Sequence, residues 1–207
     1  MVAISVAAPE RTALTGHEGF TLIEALVAFA VLAIGVTGII GLLVLSKASQ
    51  HQSLQRSTAV TLADSIVERI RSNPAGLASY NLGNSTLGGG SISNEPSPNC
   101  SSGVCTPTQL ASHDLWAWEQ ALDGASVKAG SDNTAGLIEP RGCITFSALG
   151  GYSRSGELNV TIQWRGLSET SDAVQSGEAT CGGSSAGTDD FRRQVVVNTL
   201  IVDETEL

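Results

Sequence analysis

Positive charge is scarce in this chain: 11 Lys and Arg stand against 20 Asp and Glu, for a formal net charge of −9. A nucleic-acid binder needs a basic face to displace counterions, so this balance argues against general nucleic-acid binding. Arg192 and Arg193 form a local basic pair, expected to be solvated strand residues. Catalytic constellations are missing too. His17, His51 and His113 fall in three separate regions, and none stands with a serine and an acid in a hydrolase pattern. There is no dinucleotide fingerprint, and Gly88-Gly89-Gly90 lacks the Lys-Ser/Thr that a phosphate loop requires. The reading is a protein that is not an enzyme and carries no cofactor.

Charge of either sign is absent from residues 25–45, an apolar run. As a helix it would span roughly 30 Å, close to the hydrocarbon thickness of a bilayer. Glu24 stands at its front edge. An isolated carboxylate in hydrocarbon costs several kcal/mol unless paired or neutralised, so it marks either a functional contact or a side chain reaching back to water at the interface. Residues 1–19 contain no apolar stretch long enough to be the h-region of a secretory signal, so a conventional signal peptide, cut after its apolar segment, is not the pattern. The scissile point falls before the span, at Gly19-Phe20, which would place a free amine on Phe20 near Glu24.

Cysteine is absent before Cys100; the four present, Cys100, Cys105, Cys143 and Cys181, lie beyond the apolar run. An even count on an exported side favours disulfides. Three pairings are open; the favoured one joins Cys100 to Cys105 in a short loop and Cys143 to Cys181 across the distal sheet. A zinc site of Cys100, Cys105 and His113 is the alternative, but the spacing is looser than usual ligand pairs and no second pair follows, so no metal is expected. His113 is read as a surface or helix-cap residue and His51 as a solvated one.

No Gly or Pro interrupts residues 46–73, so the helix continues past the apolar run. Ala59, Leu62, Ala63, Ile66 and Ile70 recur at steps of three and four and mark one buried face, leaving Asp64, Glu68 and Arg69 solvated. Asn73-Pro74 gives the stop. The helix over 20–72 would be roughly 80 Å long. Gly35, Gly38 and Gly41, with Ala33 and Thr37, suit close helix contact; local unwinding is the alternative reading. Residues 74–108 read as an exposed Gly-, Ser- and Asn-rich connection. A second helix is predicted over about 107–123, with Leu110, Leu115, Trp118 and Leu122 as its stripe, Trp116 widening it and Gly124 as its stop; core packing of the tryptophans is preferred over carbohydrate stacking. Residues 143–146, 158–164 and 193–202 read as antiparallel strands, with a polar loop over 166–190.

The string Gly19-Phe20-Thr21-Leu22-Ile23-Glu24-Ala25-Leu26-Val27-Ala28 resembles the prepilin junction of type IV pilins and pseudopilins. Blocks at 114–122, 143–145, 159–166 and 192–197 resemble the type IV pilus modification proteins among the minor pilins. The resemblance implies cleavage between Gly19 and Phe20 by a prepilin peptidase, N-methylation of Phe20, and an assembly role for Glu24 opposite the amine of a neighbouring subunit. The leader departs from the usual basic pattern, with Glu10 and Glu18 against Arg11. The implied fold is α+β and pilin-like: a long N-terminal helix, its first half transmembrane and its second packed on an antiparallel sheet of about three to four strands, with a second short helix. The divisions expected are a leader at 1–19, a membrane half at 20–45, a periplasmic half at 46–73, a variable region at 74–142, and a sheet with a disulfide-bracketed loop at 143–207. The implied role is a minor pilin in pilus assembly, and so in motility, adhesion or DNA uptake. Its expected partners are minor and major pilins, the prepilin peptidase, the assembly platform and the inner membrane. It would sit single-pass in that membrane with its C-terminal domain in the periplasm, and enter the pilus or its tip. A type II secretion pseudopilin and a membrane-tethered adhesin are the alternatives.

Overall fold

The computed structural model describes residues 19, 21–125, 127–130, 132–133, 136–169, 181 and 189–206. The chain divides into two compact units, Met1–Ser46 and Lys47–Leu207. Helix α1 runs over Leu22–Ser72. It ends one residue before the Asn73-Pro74 stop, because Pro74 supplies no N–H and disfavours helical backbone before it. Its start lies at Leu22 rather than at Phe20, which is outside the described residues.

In the second unit, α1 buries Ala59, Ala63, Ile66, Val67 and Ile70, the stripe expected from its periodicity with Val67 added and Leu62 half-buried at the margin. A 3-10 turn at Pro74–Gly76 and the short helix α2, Leu77–Tyr80, follow. Helix α3 covers Pro107–Leu122. Thr106 and Gln109 form a reciprocal capping box at its start, and Pro107 stands at the first turn, where its missing N–H costs nothing. Gly124, at φ +68°, supplies the left-handed stop. Trp118 and Leu122 of α3 enter the core, whereas Trp116 is only half-buried.

Strands β1 (Lys128–Ala129) and β2 (Asp132–Asn133) form a small antiparallel pair. The main sheet has the order β3-β4-β5, with β3 at Arg141–Ala148, β4 at Gly156–Arg165 and β5 at Arg192–Ile201, antiparallel throughout. Alternation aims Ile144, Leu158, Val160, Ile162, Trp164 and Val195 into the core. Gly142 sits where a Cβ would lie 2.5 Å from the Trp118 ring, so a glycine there lets α3 settle on β3.

Four expectations are corrected. The 74–108 connection is not merely exposed: Leu77, Tyr80 and Leu87 are buried, Leu87 exchanges two backbone hydrogen bonds with Gly142, and Leu82 N donates to Ile144 O, so this segment covers the outer edge of β3. Arg69 is not simply solvated, because it pairs with buried Asp114 at 2.8 Å. His113 is buried, and so is Arg192. For the 74–108 segment, Arg69 and His113 the partners are residues distant in sequence, which local pattern does not register. Most of the expected 166–190 loop, and residues 1–18, lie outside the described residues.

Candidate assembly site

Thr21 opens α1. Its carbonyl accepts from Glu24 N and Ala25 N at 3.1 and 3.2 Å, and its Oγ1 accepts weakly from Glu24 N at 3.4 Å. A threonine cap and an acid in the first turn both suit the unsatisfied N–H groups and positive end of a helix. Glu24 therefore has a local reason to stand where it does, yet its carboxylate is exposed and meets no basic group among the described residues. Phe20, on which the expected cleavage and methylation depend, is outside the described residues. Gly19 is described, and a Cβ added there would meet nothing within 4 Å.

From Leu22 to Leu45 the apolar side chains are exposed all round the helix, Leu22 at 82%, Ile34 at 74% and Leu45 at 69%. A helix that is apolar on every side needs an apolar environment on every side. Among the described residues α1 is the one helix long and apolar enough to cross a membrane. Thr37 fits that setting, because its hydroxyl reaches the carbonyls of Ala33 and Ile34, both at 2.9 Å, and leaves no polar group unmatched. Gly35, Gly38 and Gly41 have open space beside them, which allows another helix backbone to approach closely.

The second unit holds two buried polar clusters that sequence reasoning missed. In the first, Asp114 accepts from Arg69 at 2.8 Å and from Tyr80 at 2.5 Å, while Asn73 Nδ2 donates to the Tyr80 oxygen and to Pro107 O. Burial, then the bond to Asp114, pushes the Tyr80 hydroxyl above its ordinary range, so it serves as a neutral donor. In the second, fully buried Glu119 accepts from Gly88 N at 3.2 Å, Ser91 Oγ and Ile92 N at 2.6 Å, and Ser91 N. Asp123 accepts from Gly89 N and Gly90 N at 2.7 and 2.9 Å. The glycine run that fails as a phosphate loop thus cradles two carboxylates of its own chain. The usable signal was an acid at 119 and another at 123, one helical turn apart, together with a donor-rich loop.

Neither cluster is catalytic in form. His113 lies 3.4 Å from both Ser101 Oγ and Glu95 Oε1, but both contacts are to Nε2. A serine–histidine–acid relay needs the serine and the acid on different ring nitrogens, so this trio does not make one. The alternative zinc set also fails, because the sulfurs of Cys100 and Cys105 are bonded to each other; Cys143 and Cys181 form the second disulfide.

Two family models match the chain. The prokaryotic N-terminal methylation motif covers residues 15–40, and the family described as type IV pilin Tt1218 covers residues 42–116. No curated protein and no solved structure gives a significant match. The two family matches support a type IV pilin, with membrane anchoring through the apolar helix, incorporation into a pilus, and association with other pilins and a prepilin peptidase. That family is structural and non-enzymatic. The α+β architecture, with its long apolar-headed helix and three-stranded antiparallel sheet, is consistent with a pilin fold.

Proposed function

We propose that this pilin-like chain is a minor pilin, of the PilV type, that takes part in priming and assembling a type IV pilus. The observation that carries the reading is a carboxylate at Glu24, without a basic partner among the described residues, heading a helix whose Leu22–Leu45 stretch is apolar and exposed on all sides. Cleavage between Gly19 and Phe20 removes a leader of residues 1–19, and Phe20 is N-methylated. The match of the prokaryotic N-terminal methylation motif over residues 15–40 supports this processing. Residues 20–45 hold the subunit single-pass in the inner membrane, with residues 46–207 in the periplasm, until the assembly platform draws it among minor and major pilins.

In the filament, Glu24 meets the amine of Phe20 on a neighbour. Breaking one side of such a buried pair costs about 3–5 kcal/mol, enough to reduce assembly by several hundred-fold. The distal sequence blocks at 114–122 and 192–197 favour a pilus over a secretion pseudopilus. Surface pilus yield tests the proposal: Gly19→Ala is expected to leave the leader attached, and Glu24→Ala to permit cleavage while abolishing complex formation and piliation. Normal processing and piliation in both variants would remove these roles. Loss of type II secretion with normal piliation would move the chain to the pseudopilins.

A further inference from the structure

Gln55 breaks the pattern of α1. It stands four residues before Ala59, on the stripe that continues through Ala63, Ile66 and Ile70, where burial calls for an apolar side chain. It is 5% exposed, and neither its Nε2 nor its Oε1 has a hydrogen-bond partner among the described residues. Buried polar groups are almost always matched, because an unmatched one loses its water and gains nothing in return. This amide borders a cleft of about 340 Å³ between α1 and strands β4 and β5, where Trp164 and Arg193 are cross-strand partners.

The walls of the cleft are polar, and their only charge is positive. On α1, Ser49, Gln52, Ser53 and Arg56 stand at i, i+3, i+4 and i+7 and form one wall. No Asp or Glu among the described residues lines it. Arg69, Arg71, Arg154 and Arg165 each pair with a carboxylate, whereas Arg56 and Arg193 meet none among the described residues, in a chain of net charge −9. Arg193 is nevertheless held in place. It donates to Arg192 O at 3.3 Å and to Ser168 O at 2.8 Å, and Gly166 leaves it room, since a Cβ there would lie 3.0 Å from the guanidinium carbon. Ser168 Oγ also accepts from Gln52 Nε2 at 2.8 Å, which ties the two walls together. A guanidinium offers about five N–H donors, so most of those on Arg193 stay available.

We propose that this cleft binds an acidic segment of a partner polypeptide. A Glu or Asp carboxylate of that segment meets Arg56 and Arg193. The peptide unit beside it donates to Gln55 Oε1 and accepts from Gln55 Nε2, after a turn about the soft terminal torsion of that side chain. A bare carboxylate or phosphate dianion matches only the donor half of the amide. A volume of about 340 Å³ also falls in the range of ligand-binding clefts, well above what a lone oxyanion fills. The chain's own acidic end is engaged elsewhere, since Asp203 and Glu206 both pair with Arg154. A lipid headgroup is out of reach. Gln55 follows Leu45 by about 15 Å of helix, whereas the headgroup layer is about 5–8 Å deep. That last point rests on the membrane reading of residues 25–45; the charge and the orphaned amide do not.

Fluorine NMR of the full-length chain in phosphatidylcholine nanodiscs tests the proposal, with fluorotryptophan at its three tryptophans and the Trp164 signal assigned through Trp164→Phe. The probe is the blocked tripeptide acetyl-Ala-Glu-Ala-amide. It is expected to shift the Trp164 signal saturably, and its Gln analogue to bind at least roughly ten-fold more weakly. Arg56→Gln and Arg193→Gln should each weaken binding about ten-fold. Gln55→Leu should abolish binding while leaving Tm equal or higher, because an apolar side chain suits the buried stripe, so the loss cannot come from unfolding. Equal binding of the Glu and Gln peptides, or no saturable shift with either, would overturn the proposal. Tighter binding of inorganic phosphate than of the peptide would overturn it in favour of a free oxyanion. A Trp164 shift on replacing phosphatidylcholine by phosphatidylglycerol, with no response to the peptide, would overturn it in favour of a headgroup. None of these outcomes touches the roles of Gly19, Phe20 and Glu24.

Discussion

Replacing Glu119 by alanine removes the acceptor for four donors at once: the N–H groups of Gly88, Ser91 and Ile92, and the Ser91 hydroxyl. Hydrogen bonds to a charged group contribute about 1.5–3 kcal/mol each, so a simple sum would reach roughly 6–12 kcal/mol. The structure argues for much less. Only Glu119 and Gly88 are fully enclosed, whereas Gly89 and Ser91 are exposed and Ile92 is half-buried, so water can take over some of the stranded donors. Asp123 continues to hold Gly89 and Gly90, keeping one end of the loop attached. The expected loss is about 3 kcal/mol, which for a domain of this size lowers Tm by roughly 6–12 °C. Glu119→Gln should lose less, because one oxygen still accepts while its NH2 opposes one of the N–H donors. The assay is thermal unfolding of the unit that begins at Lys47, followed by circular dichroism. A fall of under 2 °C for Glu119→Ala, or a larger loss for Glu119→Gln, would refute the idea that the glycine loop is held by this carboxylate.

Two further predictions concern the C-terminus and the disulfides. Bonds from Ser153, led by its hydroxyl, hold the Glu206 carboxyl down at about 2, and bonds from Thr205 hold Asp203 below its usual range. A depressed carboxylate contributes stability that is fully present above its unfolded value, near 4.5, and is lost as pH falls toward about 2. Wild type should therefore lose stability between pH 5 and pH 2.5 more steeply than Glu206→Gln, and equal slopes in acid-titrated unfolding curves would refute this. The Cys143–Cys181 bond closes a separation of 38 residues and Cys100–Cys105 one of 5. Chain entropy assigns them about 4 and about 2 kcal/mol, so removing the first pair by Cys→Ser should lower Tm more, and the reverse order by calorimetry would overturn that ranking.

Much of the fold was legible because its signals are local. A proline after Asn73, a stop glycine at 124, a three-four spacing of apolar residues and a run of branched residues at 195–197 each act within a few positions. The candidate assembly site was legible for the same reason, since one acid before an uncharged run is a feature of neighbouring residues. Asp114, Glu119 and Asp123 were not, because their meaning lies in partners contributed by residues 69–92. The same holds for His113, read as a surface or helix-cap residue, and Arg192, read as a solvated strand residue, both found buried.

The sequence alone determined where the chain is apolar, where its helices stop, and that a lone carboxylate heads the long one, since these follow from residue type and spacing. Only the tertiary structure decided which disulfides form and how the 74–108 segment closes one edge of the sheet. It also decided that the opposite edge has no other strand beside it among the described residues. The physical reason is that pairing and cover depend on distances between residues far apart in the chain, which periodicity does not encode.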